Sequence, residues 1–141
     1  MNQKLKSVFI IVSTFLLAIF LSIILMELGG YLHAYIFSTS CTGSIFVIMN
    51  FDKGCQLEGF IYFYLFWLAV FAFGFLKQKI AWLVYVIGTF IFWIAQLYFI
   101  LSEKLNFLRN ELIGSLIIMV CFFVVGWLLA QGGLMVYKKL K

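Results

Sequence analysis

The sequence contains no proline, one histidine and only five acidic residues among its 141. Without proline, no helix is kinked by a ring that removes a backbone donor. With one histidine, no pair of histidines within the chain can hold a haem. No CxxC pair, glycine-rich phosphate loop, catalytic triad or metal-ligand motif occurs. Charge is scarce as well. Charged residues make up 11% of the chain, against about 25% in an ordinary soluble domain. The formal net charge is +5. No stretch interleaves basic and aromatic residues as a nucleic-acid site requires, so nucleic acid is not an expected partner.

What remains is apolar: 66% of the residues are hydrophobic, 21% are aromatic, and the mean hydropathy is +1.16. A soluble core of this length cannot hide that much apolar surface. Four runs have the length of a membrane span, at 7–28, 59–76, 80–101 and 112–131. The first follows "MNQKLK". Its apolar stretch exceeds the roughly 7–15 residues of a signal-peptide core, and no small-x-small site closes it, so it reads as a retained transmembrane helix. Gly29-Gly30 and Gly132-Gly133 are expected helix ends, because glycine accepts the left-handed conformation that caps helices. "KQK" at 77–79 is expected to be a tight turn. A spanning segment must satisfy its backbone polar groups internally, which leaves the helix as the open-ended solution. The expected fold is therefore an all-α membrane protein. It is one domain over 1–141, an antiparallel bundle of four transmembrane helices with a structured first periplasmic loop at 38–58.

Charge placement orients this bundle. Lys4, Lys6, Lys77, Lys79, Lys138, Lys139 and Lys141 fall on one side; Lys53, Lys104 and Arg109 fall on the other. Seven against three predicts both termini in the cytoplasm of a bacterial inner membrane. Tyr31, Tyr35, Tyr62, Tyr64 and Tyr98 then gather near the outer boundary, and Trp82, Tyr85, Trp127 and Tyr137 near the inner one.

The outer loop carries "CTGSIFVIMNFDKGC". In an oxidising periplasm Cys41 and Cys55 are candidates for a disulfide. Closing this fifteen-residue loop is worth about 3 kcal/mol in the chain-entropy model. Two free thiols and a redox-active pair are the alternatives. The redox alternative lacks the second, quinone-facing CxxC pair that small membrane thiol oxidoreductases use. Cys121 stands alone and reads as a small packing residue.

The polar residues near the spans are few. Glu27 and His33 are candidates for a proton or metal site, since ionisable groups within spans are functional candidates by default. Six residues put them on different helix faces unless Gly29-Gly30 breaks the helix. The plainer alternative is hydrated interfacial residues, or pairs with Lys104 or Arg109. One histidine and one carboxylate make a thin ligand set, so no metal and no cofactor is expected. Gln96, with Thr89, supplies the polarity of the third span, and Gln96 is expected to bond between helices. Thr14, Ala18 and Ser22 recur every fourth residue, and Gly126 and Ala130 repeat the spacing. Such faces let helices approach closely, inside the bundle or against another membrane protein.

No reaction chemistry is visible, so no catalytic residue is expected. The expected function is a non-catalytic interaction protein: an accessory subunit of a membrane complex or an immunity-type protein. Its partners would be the bilayer and another membrane protein, or a second copy of itself. The alternatives are a small membrane enzyme or proton-coupled carrier using Glu27 and His33, or a thiol-redox protein using Cys41 and Cys55.

Overall fold

The computed structural model describes residues 2–37, 56–101 and 109–141. Among these residues the chain is helical almost throughout, with no strand. Four helices follow in order: α1 (Gln3–Phe37), α2 (Gln56–Phe75), α3 (Gln78–Leu101) and α4 (Arg109–Leu140). All four are long and apolar enough to cross a membrane. At about 1.5 Å per residue, the 35 residues of α1 and the 32 of α4 exceed the roughly 30 Å of a hydrocarbon core.

Each helix is longer than its apolar run or starts earlier, and the glycine pairs explain most of the difference. Gly29-Gly30 does not end α1, and Gly132-Gly133 does not end α4. Glycine costs about 1 kcal/mol in a helix interior relative to alanine. In α1 the absence of a side chain has a use: a Cβ on Gly29 would lie 2.5 Å from the Gly59 Cα. A Cβ on Gly59 would run into the Met26 carbonyl oxygen and the Gly30 nitrogen. Backbone lies against backbone where α1 crosses α2, the close approach that stabilises helix pairs in lipid. The turn between α2 and α3 is shorter than "KQK" suggests, because Gln78 and Lys79 already belong to α3. The Leu76 N–H closes α2 by donating to the Ala72 carbonyl at 3.0 Å.

α2 is the hub and packs against each of the other three helices. Its Ile61, Tyr62, Leu65, Leu68 and Phe73 are almost fully buried. α1 lays Thr14, Ala18, Ser22, Gly29, Gly30 and His33 inward as one stripe, and α2 is its main neighbour. The Thr14 and Ser22 hydroxyls donate to the carbonyls of Ile10 and Ala18, one turn back. α4 meets α2 through Gly126, whose Cβ would lie 2.6 Å from the Phe66 carbonyl oxygen, and Ala130 is buried beyond it. Toward the lysine-bearing end the core is an aromatic layer. Phe73 meets Trp82 at 4.9 Å between ring centroids, and Tyr85 meets Phe123 at 4.6 Å.

The tyrosines divide in a way their sequence positions did not predict. Tyr31, Tyr35 and Tyr98 are exposed, as boundary residues are, but Tyr62, Tyr64 and Tyr85 are buried inside the bundle. The Tyr64 hydroxyl donates to the Gly88 carbonyl at 3.0 Å and ties α2 to α3. Cys121 is not an interior packing residue. It lies exposed on α4, beside Phe63 and Phe66 of α2.

Candidate functional site

One place in the described bundle gathers buried polar side chains from three helices. His33 is 1% exposed on α1, and Ser115 is buried on α4. Tyr62 of α2 lies between them: its hydroxyl oxygen is 2.6 Å from His33 Nδ1 and 3.1 Å from Ser115 Oγ. Side chains on a helix lean toward that helix's own N-terminus. His33 therefore leans back toward Gly29, and Tyr62 leans back toward Gly59. The glycine crossing brings the two backbones close enough for the ring and the hydroxyl to meet.

Aromatic rings wall the cluster. Phe37 lies 4.6 Å from the His33 ring, and the Tyr62 ring stacks on Phe122 at 5.5 Å. Gly114 permits this, since a Cβ there would lie 2.5 Å from the Phe37 ring. Glu58 stands one turn before Tyr62 on the same face of α2. It is 3% exposed, and its Oε1 has no hydrogen-bond partner. An acceptor buried without a donor costs about 1–3 kcal/mol, and a position three residues into α2 offsets part of that through the positive end of the helix dipole.

The hydroxyl of Tyr62 is bifunctional, and this gives the cluster two hydrogen-bonded arrangements. With Nδ1 unprotonated, Tyr62 donates to His33 and Ser115 donates to Tyr62. With Nδ1 protonated, His33 donates to Tyr62 and Tyr62 donates to Ser115. The change moves protons and no heavy atom.

The sequence candidates separate. Glu27 is exposed on the outside of α1, while His33 faces inward. The helix runs unbroken between them, so the Glu27–His33 pair does not form. Gln96 is fully buried on α3, two turns beyond Thr89. Thr89 is used within α3: its hydroxyl donates to the Tyr85 carbonyl at 2.8 Å and accepts from Trp93 Nε1 at 3.1 Å. Cys41, Cys55 and the proposed loop structure at 38–55 lie outside the described residues, as does Lys104. Among the described residues no three histidine, cysteine or acidic side chains converge as a metal site would need.

Glu58 is the residue that the sequence did not single out. The apolar run begins at Gly59, so the carboxylate counted as loop. A signal was nevertheless present. "EGFIY" places Glu58 four residues before Tyr62, which in a helix is the same face.

Comparison with known proteins finds no match to a family model, to a curated protein or to a solved structure.

Proposed function

We propose that this chain is a proton-linked membrane protein, a small carrier or sensor whose working site is Glu58, His33, Tyr62 and Ser115. It lies in the bacterial inner membrane as an antiparallel four-helix bundle with both termini in the cytoplasm, and the site lies toward the periplasmic end. The observation that supports this most is a buried carboxylate oxygen with no donor, one helical turn from a histidine–tyrosine–serine chain. Ionisable groups are expensive in a bilayer and mark proton or ligand pathways where they occur. Taking up a proton would remove the charge of the buried Glu58 carboxylate, and the Tyr62 hydroxyl, which can donate or accept, links His33 to Ser115.

His33 is the single histidine, so nitrogen NMR of histidine-labelled protein reads this site alone. The expected result is an Nδ1 resonance at the shift of a hydrogen-bonded ring nitrogen, which moves in Tyr62→Phe, where the partner hydroxyl is gone. A histidine signal identical in the wild type and in Tyr62→Phe would end the proposal. Reporter fusions are expected to place Lys77 and both termini inside and Asn106 outside; a periplasmic C-terminus would contradict the four-span topology.

A second reading has its own support. α1 buries one stripe and leaves Phe9, Leu16, Phe20, Ile23 and Tyr31 exposed along the rest of its length. That surface suits an accessory subunit or immunity-type protein docking another membrane helix. Replacing Phe20 and Ile23 with alanine would then remove a co-purifying partner, while Glu58→Gln would spare it.

A further inference from the structure

The lysine-bearing end of the bundle has a feature that a proton site does not use. An open apolar groove of about 430 Å³ runs between α2 and α4 there, lined by Phe71, Gly74, Phe75, Ala130, Gly133 and Tyr137. A second, of about 280 Å³, runs between α2 and α1 beside Phe9, Ser13 and Thr14. Phe71 and Phe75 line both. Their rings stack at 6.1 Å, and Trp67 stacks on Phe71 at 5.6 Å, so an aromatic ridge lies between the two grooves.

The first groove is open because its glycines are. A Cβ on Gly74 or Gly133 would meet nothing within 4 Å. Gly29, Gly59, Gly88, Gly114 and Gly126 differ, each lying against atoms of this chain.

Charge supplies the independent observation. Lys4, Lys6, Lys77, Lys79, Lys138, Lys139 and Lys141 are all exposed and all stand at this end of their helices. The five acidic residues of the chain are Glu27, Asp52, Glu58, Glu103 and Glu111, none of them near these lysines in sequence. Lys141 Nζ lies 5.1 Å from the centroid of the Tyr137 ring. A cation thus stands beside a ring that lines the first groove.

From these features we infer that the lysine end seats an anionic diacyl phospholipid. One acyl chain lies in each groove, astride the Phe71–Phe75 ridge, and the headgroup phosphate lies among the lysines. Two grooves match the two chains of such a lipid, and a rim of lysines with no aspartate or glutamate near them in sequence matches a negative headgroup. A juxtamembrane lysine contributes enough attraction to an anionic membrane surface to change binding about fivefold.

Native mass spectrometry of the full chain in mild detergent tests this. The protein is offered equal amounts of phosphatidylglycerol and phosphatidylcholine with the same acyl chains. The expected result is preferential retention of one phosphatidylglycerol. Changing Lys138, Lys139 and Lys141 together to glutamine, all at exposed positions, lowers that retention by about fivefold per lysine. Gly133→Leu, which fills the first groove, lowers retention of both lipids. Equal retention of the two lipids by the wild type, or a preference that survives the lysine changes, overturns the inference. So does a wild-type dimer that Gly133→Leu turns into a monomer, since a second copy would then be the occupant.

Discussion

The two ends of α2 carry the same residue in opposite circumstances. At one end Gly59 lies against the α1 backbone, beside a cluster of buried polar groups. At the other, Gly74 faces open space in an apolar groove beyond an aromatic layer. The first end is closed and polar; the second is open, aromatic and ringed by lysines. Within a membrane helix glycine therefore has no single meaning. Its role depends on whether a neighbour within the chain occupies the space that the missing side chain leaves.

The largest contrast comes from one substitution made at both ends. Gly59→Leu drives a side chain into the α1 backbone, and overpacking of this kind is expected to cost about 3 kcal/mol or more. Thermal unfolding in detergent should show the loss, together with loss of the native elution profile. Gly74→Leu, which meets open space, should stay within about 0.5 kcal/mol of the wild type. Equal effects at the two positions would mean that the glycine crossing does not hold α1 on α2.

Tyr62→Phe comes next. It keeps the ring stacked on Phe122 and removes the hydroxyl that joins His33 to Ser115. The expected cost is about 1–3 kcal/mol, read in the same melting experiment. Ala18→Leu or Ser22→Leu, both within the buried stripe of α1, should cost a similar amount through overpacking. These two should leave the His33 nitrogen resonance unchanged, whereas Tyr62→Phe should displace it. That separates damage to packing from damage to the polar end.

The four helices were legible because apolar runs of membrane length leave the backbone few alternatives. The buried stripe of α1 was legible for a related reason: Thr14, Ala18 and Ser22 at four-residue spacing mark a face narrow enough to bury. The polar end was only half legible. His33 stands out as the single histidine, but the nearest acidic residue in sequence, Glu27, faces outward. Tyr62 reads as a boundary residue in the sequence, because a tyrosine near the end of an apolar run looks the same whether it faces lipid or a neighbouring helix. Glu58 was missed because hydropathy ends a span at the first charge, while the helix continues to Gln56. The glycine pairs misled for a physical reason. In water, glycine commonly stops a helix; in a span the backbone keeps its hydrogen bonds, and glycine marks close approach instead.

The smallest expected effects complete the comparison. Gly74→Ala should raise stability by a few tenths to about 1 kcal/mol, the helix-propensity gain where nothing obstructs the new methyl group. Glu27→Gln, on the exposed face of α1, should stay within about 0.5 kcal/mol of the wild type and leave the histidine resonance in place.

The most direct measurement is infrared difference spectroscopy between alkaline and mildly acidic buffer, on the wild type and on Glu58→Gln. If Glu58 takes up a proton beside the His33–Tyr62–Ser115 chain, the wild-type spectrum gains a carboxylic-acid carbonyl band that the variant lacks, and Tyr62→Phe shifts that band. If the wild-type and Glu58→Gln difference spectra coincide across the carboxyl region, Glu58 holds one protonation state throughout and the polar end is not a proton site.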